Sequence, residues 1–232
     1  LRALLKSFVD DAAFVAQLRK APATKMSHHA YPGGLLEHTA STIKLAHRLA
    51  DQYPMVDRDL LVAGAFLHDL GKLKELSSEK GTDYTDAGRL VGHLVLAAQE
   101  IHDRAAKIEG FPQLLEHHLV HLVLSQYGQA EHGSPKVPVT LEALLLHHLV
   151  ELDSRVNTWL GFMQRDPNDK WTEYNKAYDR HMWKGAMPTL DGKRPVEDVA
   201  AALASAAGFL RIHLKKQLEI RHVPELRFVA DH

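Results

Sequence analysis

Apolar residues recur every three or four positions along most of the 232-residue chain. Because an α-helix returns to the same face after 3.6 residues, this spacing predicts amphipathic helices. We expect them at residues 1–20, 35–52, 58–70, 89–107, 112–126 and 140–160. Asp57 is the expected N-cap of the 58–70 helix, and Gly71 is its expected stop. The sequence therefore predicts an all-α body.

Composition excludes several classes of protein. Hydrophobic residues make up 45% of the chain and charged residues 25%, as in ordinary globular domains. We expect no membrane span, because no apolar run approaches the roughly 20 residues that one needs. Without cysteine there are no disulfides and no thiolate metal sites, which fits a cytoplasmic protein. Since the formal net charge is -1, any contact with RNA must use a local basic patch.

The pattern of apolar and polar residues changes toward the C-terminus. We predict a helical domain over 1–185 and a short appendage over 186–232, with a helix at about 196–219 and a strand at 225–230. The appendage carries a basic stretch that could contact RNA phosphates: Arg211, Lys215, Lys216 and Arg221. The simpler interpretation is an amphipathic helix that packs on the body.

The stretch GAFLHDLGKLKEL, residues 64–76, places His68 and Asp69 at the end of an apolar run. A buried carboxylate requires a compensating positive charge. His38 and Asp153 lie in two other predicted helices, and two imidazoles with two carboxylates could hold a divalent ion that keeps open positions. The alternative is a helix-terminal histidine paired with a local acid. Lys72 follows His68 by four residues, on the same helical face, and could contact a phosphate.

The ordered set His38, His68–Asp69 and Asp153 resembles the H…HD…D signature of the HD-domain metal-dependent phosphohydrolases. The segments HHAYPGGLLEHT, YTDAGRLVGH, EHGSPKVP and KWTEYNKAY are more closely similar to the HD domain of the YhaM-type 3′-5′ exoribonucleases, over roughly residues 1–185. In that family an OB-fold RNA-binding region precedes the HD domain.

This resemblance implies an HD-type helical bundle that hydrolyses RNA phosphodiesters with a divalent ion, one of Mn²⁺, Fe²⁺, Co²⁺, Ni²⁺ or Zn²⁺. It implies that the metal ligands are His38, His68, Asp69 and Asp153. Asp69, Lys72 and His93 would be the catalytic residues. His93 would bind a second metal or the scissile phosphate. His121 is a further candidate for such a role, because its spacing of three and four residues from His118 and His117 can chelate a metal.

The sequence also departs from the family pattern. Gln126 and Tyr127 replace two histidines, Gly34 replaces a glutamate and Val150 replaces an acid, so we predict one metal ion rather than two.

The last residues resemble the C-terminal third of ribosome-binding factor A. Two alternative functions stay open: a nucleotidase acting on mononucleotides, and a catalytically weak module that binds RNA or the ribosome.

Overall fold

The computed structural model describes residues 1–25, 30–77 and 82–186. The chain divides into two compact units, unit 1 over Leu1–Ser154 and unit 2 from Arg155 onward. The helices are α1 Arg2–Val9, α2 Ala12–Leu18, α3 Gly34–Gln52, α4 Arg58–Leu67, α5 Lys72–Glu75, α6 Asp86–Leu90, α7 His93–Ala105, α8 Gln113–Leu124 and α9 Leu141–Arg165. The predicted all-α fold is confirmed for the described residues.

A small hairpin is the sheet that accompanies these helices in the described residues. Its strands are β1 Leu76–Ser77 and β2 Asp83–Tyr84, which pair antiparallel with Leu76 opposite Tyr84. The sequence analysis predicted no strand in this segment. Two-residue strands carry too little hydrophobic alternation to be recognised from a sequence pattern.

Two predicted helices are each divided in the structure. The 1–20 segment forms α1 and α2, because the Asp11 carboxylate accepts the N–H groups of Ala13 and Phe14 and so starts a new helix. The 89–107 segment forms α6 and α7, separated at Gly92, whose φ of 80° lies in the left-handed region. In contrast, the prediction of Asp57 as an N-cap is confirmed, since its carboxylate accepts the N–H of Leu60.

The core of unit 1 is built from pairs of helices. Helix α3 packs along α4, α7 packs along α8, and α4 also contacts α8. At Gly64 the absence of a side chain lets α4 approach Leu122 of α8 and Leu146 of α9 closely. The largest fully buried apolar side chains of unit 1 include Leu4, Phe8, Leu35, Leu61, Leu67, Ile101, Leu119, Leu122, Leu146 and Leu149.

Gly71 determines how α5 meets α7. A Cβ atom at this position would lie 1.9 Å from the carbonyl oxygen of His93 and 2.8 Å from the N atom of Ala97. Only glycine fits such an approach between backbones. This contact brings α5, which carries Lys72 and Glu75, directly against the first residue of α7, His93.

The described part of unit 2 contains the second half of α9 and a chain segment that folds back on itself. In this segment Trp171 pairs with Trp183 and Asn175 with Arg180 through isolated antiparallel bridges. The N–H of Thr172 donates to the carbonyl of Met182 at 2.9 Å, which closes the middle of the segment. Loop residues therefore hold a defined conformation without a regular sheet.

The predicted appendage, with its helix at about 196–219 and its strand at 225–230, lies outside the described residues. The predicted boundary between 185 and 186 lies at the end of the described residues and stays a prediction. Across the described ranges, no helix is both long enough and apolar enough to cross a bilayer.

Candidate metal centre

His68 and Asp69 directly follow the last residue of α4. His68 is fully buried, and its Nδ1–H donates to the carbonyl oxygen of Ala65 at 2.9 Å. Because a carbonyl oxygen can only accept, this bond leaves the Nε2 atom of the neutral ring with its lone pair. Asp69 is also buried, with 3% of its surface exposed. The end of α4 thus presents one nitrogen and one carboxylate to the interior.

His38 reaches the same place from the second turn of α3. Its Nδ1–H donates to Oδ2 of Asp153 at 2.7 Å, and the other carboxylate oxygen of Asp153 accepts a hydrogen bond from Ser41. Burial, the largest influence, lowers the pKa of His38, although the hydrogen bond to Asp153 acts in the opposite direction. The lowered pKa favours a neutral ring. The Nε2 atom of His38 therefore also carries a lone pair.

Three electron-pair donors converge between α3 and the end of α4. The Nε2 atoms of His38 and His68 lie 3.1 Å apart, and Oδ2 of Asp69 lies 3.6 and 3.5 Å from them. Two neutral imidazoles whose Nδ1 protons are already engaged cannot hydrogen-bond to each other through Nε2. The lone pairs of the two Nε2 atoms and of the carboxylate oxygen therefore repel one another. A cation bound by all three atoms would remove this repulsion, and neutral imidazole with carboxylate is a common ligand set for divalent metals. The donor set therefore fits a metal ion.

Lys72 supplies the nearest fixed positive charge. Its Nζ atom lies 2.7 Å from Oδ2 of Asp69, and the lysine is itself buried. Burial acts to raise the pKa of Asp69, but the positive charge of Lys72, followed by the interactions with His68, outweighs it, so the pKa lies well below its ordinary value. Asp69 is therefore an ionised carboxylate, as a metal ligand must be.

A second hydrogen-bonded group adjoins the other oxygen of Asp69. The Nε2 atom of His93 lies 3.6 Å from Asp69 Oδ1. The Nδ1–H and the backbone N–H of His93 both donate to Oε1 of Glu75, at 2.9 and 3.0 Å. The Tyr127 hydroxyl then donates to His93 Nε2 at 3.0 Å. Glu75 and Tyr127 together hold the His93 ring in one orientation.

The protonation states of Glu75 and Tyr127 agree with these bonds. Burial acts to raise the pKa of Glu75, but the hydrogen bonds that it accepts from His93 outweigh this effect, and the pKa is lowered. Burial, followed by the charges of Asp69 and Glu75, raises the pKa of Tyr127. Glu75 is thus an acceptor, while Tyr127 keeps its proton and acts as a donor.

Gln126 supports the end of α4 from the other side. Its Nε2 donates to the backbone carbonyl of His68 at 3.0 Å, and its own backbone carbonyl accepts from His147 Nδ1 at 2.7 Å. Within the described ranges, the buried Oε1 atom of Gln126 has no hydrogen-bond partner. Buried polar atoms are nearly always paired, so a water molecule or a ligand group would satisfy this one.

The structure brings together most, but not all, of the predicted site residues. Asp153 contacts Nδ1 of His38, on the side of the ring away from the converging donors, so its predicted role as a ligand stays a prediction. The Nε2 atom of His121 instead accepts the backbone N–H of Val139 at 3.1 Å. The basic residues of the appendage, Arg211, Lys215, Lys216 and Arg221, lie outside the described residues.

Sequence reasoning missed three contributors to this site. Glu75 was overlooked although it lies in the same GAFLHDLGKLKEL stretch, seven residues after His68. Tyr127 and Gln126 were considered only as departures from a family pattern. Their roles depend on contacts with residues far away in sequence, which local spacing does not reveal.

A second group of metal-capable side chains lies on α9, at His147, His148 and Glu151.

Comparison with known proteins connects this geometry to a family. The family model for the HD domain matches residues 35–153, the span from the start of α3 to the carboxylate beside His38. The chain belongs to the HD-domain family. HD domains bind divalent metal ions, which agrees with the cluster of His38, His68 and Asp69. No solved structure matches the chain significantly.

Several curated relatives share one name. The 3′-5′ exoribonuclease YhaM of Bacillus subtilis is 41% identical over 159 residues, 68% of this chain and 50% of the relative. Proteins with the same name from Bacillus pumilus and Shouchella clausii are 45% identical over 152 residues and 37% identical over 181 residues. These alignments cover 66% and 77% of this chain, and 48% and 54% of the relatives. The chain spans about half the length of the curated relatives that it matches.

Proposed function

We propose that the protein is a metal-dependent phosphodiesterase that removes nucleotides from the 3′ end of RNA. The convergence of three lone-pair atoms on one point, from His38, His68 and Asp69, supports this proposal most directly. When bound there, a divalent ion supplies Lewis-acid activation of water and of the phosphate. The relatives named 3′-5′ exoribonucleases support RNA as the substrate class and the 3′ end as the site of attack.

Each neighbouring side chain has a proposed task. Asp69 binds the ion through Oδ2, and Asp153 orients His38 through Nδ1. The Lys72 ammonium has three N–H donors, of which Asp69 uses one, so it can also bind a phosphoryl oxygen and offset developing negative charge. His93 is held by Glu75 through Nδ1, and its Nε2 atom can accept a proton once the bond from the Tyr127 hydroxyl is released. Asp69, Lys72 and His93 are thus the proposed catalytic residues.

The nature and number of the ions are also part of the proposal. Two imidazoles and one carboxylate suit Mn²⁺, Fe²⁺, Co²⁺, Ni²⁺ and Zn²⁺. As an alternative to orienting His38, Asp153 could itself bind the ion as a fourth ligand. We propose one ion per chain, because both nitrogens of His93 are already hydrogen-bonded, to Glu75 and to Tyr127. A second-metal role for His121 would require its bond to Val139 to break.

The test follows RNA trimming on a 5′-labelled single strand in the presence of Mn²⁺. The proposal predicts a ladder of products that shorten from the 3′ end, and its loss in Asp69→Asn. Lys25→Gln is the matched control, since Lys25 pairs with the exposed Asp83. Products that arise from internal cleavage would exclude the exonuclease. Turnover of mononucleotides without RNA trimming would favour a nucleotidase, and metal-independent RNA binding without turnover would favour a binding module.

The organisation of this chain belongs to the proposal as well. We propose an HD domain over 1–185 and an appendage over 186–232, with Arg211, Lys215, Lys216 and Arg221 as candidate RNA contacts. Replacing these four residues by Gln should then weaken RNA binding without changing the metal content. Activity on cellular RNA would place the protein in the cytoplasm, which a fluorescent fusion can test.

A further inference from the structure

Helix α9 carries the second group of metal-capable side chains, outside the metal centre. Each of His147, His148 and Glu151 offers one ligand atom, either an imidazole nitrogen or a carboxylate oxygen. These three atoms lie within 4.8 Å of one another. Residues three and four positions apart on a helix are neighbours on its surface, so the helix itself brings Glu151 beside both histidines. All three residues belong to unit 1.

A hydrogen bond to the backbone determines which nitrogen of His147 can bind an ion. The Nδ1–H of this ring donates to the carbonyl oxygen of Gln126 at 2.7 Å. Because a carbonyl oxygen can only accept, the neutral ring has its proton on Nδ1 and a lone pair on Nε2. Histidines that bind metals almost always donate their other N–H to a carbonyl, a carboxylate or water, which fixes the ring. His147 therefore has the hydrogen bonding of a metal ligand.

Gly128 leaves room beside the same part of the His147 ring. A Cβ atom at this position would lie 2.5 Å from both Cε1 and Nε2 of His147. The glycine also has a φ of 77°, in the left-handed region that other residues rarely adopt. A side chain at residue 128 would thus press against Nε2. With glycine there, Nδ1 is engaged by the backbone while Nε2 keeps space for a ligand.

His148 approaches the group from the solvent side. It is exposed, whereas His147 and Glu151 are partly buried, and the centroids of the two imidazole rings lie 4.8 Å apart. Two ligands of a tetrahedral zinc ion lie roughly 3.3 Å apart, given bonds of about 2.0–2.1 Å to nitrogen and oxygen. Closing the group around an ion therefore requires shifts of at most about 1.5 Å, which rotation of the exposed His148 side chain can supply.

Glu151 can bind an ion while it keeps its present interaction. This residue takes part in a further interaction within the folded chain. An ionised carboxylate has two oxygens with about four acceptor positions in total. One partner therefore does not use up its capacity to accept, and an ion can bind the carboxylate without displacing that partner.

We propose that His147, His148 and Glu151 form a second metal site, which binds Zn²⁺ or a similar divalent transition ion. Imidazole ligands suit Zn²⁺, Ni²⁺ and Cu²⁺, whereas Mg²⁺ and Ca²⁺ prefer oxygen ligands alone. Two histidines with one glutamate are an established zinc ligand set, which leaves a fourth position for water. The ion is additional to the single ion of the metal centre, and it exchanges with solvent because its ligands are only partly buried.

An ion at this site would join the turn of α9 that directly precedes Asp153, the residue that holds His38. A ligand that binds the folded chain stabilises it by mass action. The site would therefore stabilise the part of α9 that supports the metal centre, without supplying a ligand to that centre. The alternative is that His147 and His148 are ordinary histidines that bind no ion.

Equilibrium dialysis against Zn²⁺, followed by elemental analysis, counts ions that a desalting column would remove. In chelator-stripped Asp69→Asn, which lacks a ligand of the metal centre, we expect one exchangeable ion per chain. Adding His148→Ala or Glu151→Gln should weaken its binding by at least about 10-fold, the cost of losing even an indirect partner of a metal. His132→Ala is the matched control, because His132 is an exposed histidine that belongs to neither group.

Thermal unfolding gives a second signature that does not depend on counting ions. In Zn²⁺, the melting temperature of Asp69→Asn should be higher than that of Asp69→Asn/His148→Ala, and Mg²⁺ should produce no such difference. Without metal the two melting temperatures should agree, since His148 is exposed and its replacement removes little packing. Agreement without metal excludes a folding defect as the cause of the difference in Zn²⁺.

Two results would overturn the inference. If His148→Ala leaves zinc binding in the Asp69→Asn background unchanged, the three side chains do not act together. If His132→Ala lowers zinc binding as much as His148→Ala does, exposed histidines bind zinc individually. The proposed function is tested separately: if His148→Ala removes the exchangeable ion as predicted but the metal-loaded protein trims no RNA, the second site stands and the proposed function fails.

Discussion

Asp153→Asn tests how the metal centre is organised. In the structure, Asp153 accepts the Nδ1–H of His38 at 2.7 Å, and both side chains are at most 5% exposed. Asparagine keeps an oxygen that can accept this proton but lacks the negative charge that makes the imidazole a stronger ligand. Losing such a partner costs about 10- to 100-fold in metal affinity. This corresponds to roughly 1.4 to 2.7 kcal/mol of binding free energy.

The assay is a titration of metal-free protein with Zn²⁺ or Mn²⁺ in competition with an indicator chelator. Asp153→Ala serves as the comparison, because it removes the carboxylate that accepts the buried Nδ1–H of His38. We expect the alanine variant to lose roughly 1–3 kcal/mol in the free energy of unfolding without metal. The asparagine variant should lose less stability and should still bind one ion.

Two results would refute this reasoning. Unchanged metal affinity in Asp153→Asn would mean that the carboxylate does not act through His38. Complete loss of metal from a folded Asp153→Asn protein would mean that Asp153 is a direct ligand, as the sequence analysis predicted, and that the His38 ring turns when the ion binds.

Three other substitutions test separate parts of the account. Lys72→Met should raise metal affinity, since a cation that competes for Asp69 is lost, while RNA hydrolysis in the loaded enzyme falls about 10²- to 10³-fold. Gly71→Ala should lower the free energy of unfolding by at least roughly 1–3 kcal/mol in a urea titration, because its Cβ would lie 1.9 Å from the His93 carbonyl oxygen. Asp11→Asn should flatten the decline of stability in acid, measured by thermal unfolding at successive pH values.

The sign of the last prediction follows from the bonds of Asp11. The N–H of Phe14 and then the Arg104 guanidinium lower the pKa of this carboxyl in the folded protein. Its stabilising effect is therefore present above the unfolded pKa of about 3.9 and disappears as the pH falls through the lower folded value. If the acid profiles of the two proteins coincide, the pairing with Arg104 contributes nothing.

Each of the other two substitutions has its own control. For Gly71, the control is Gly161→Ala in α9, where the nearest atom of the described residues would lie 3.7 Å from the added Cβ, so the change should not destabilise the protein. A loss of stability equal in both variants would contradict the close approach at Gly71. For Lys72, weaker metal binding in Lys72→Met would show that the lysine supports the ion rather than competing with it.

The fold was predictable where local chemistry determines it. Helical periodicity located the helices of the bundle, and the Asp57 carboxylate caps α4 as expected. The same periodicity continues through Asp11 and past Gly92, so it could not show that the chain breaks there. These breaks depend on one capping carboxylate and one left-handed glycine, which leave the spacing of apolar residues unchanged.

The sequence indicated which residues belong to the site better than it indicated how their side chains are arranged. The order of His38, His68, Asp69 and Asp153 along the chain suggested a shared centre, but not which nitrogen of His38 faces Asp153. That choice depends on how α3 packs along α4, a tertiary contact that no local pattern records. The bond between Tyr127 and His93 is of the same kind, because it joins α7 to the residues after α8.

Metal content measured by elemental analysis, in the purified 232-residue chain and in Asp69→Asn, tests the central claim most directly. Both proteins are stripped with a chelator, incubated with each of the five candidate ions in turn and passed through a desalting column. The account predicts about one ion per unchanged chain and a large loss of it in the variant, with circular dichroism showing the same helix content in both. Equal metal content in the two proteins, or none in either, would show that His38, His68 and Asp69 do not form a metal site.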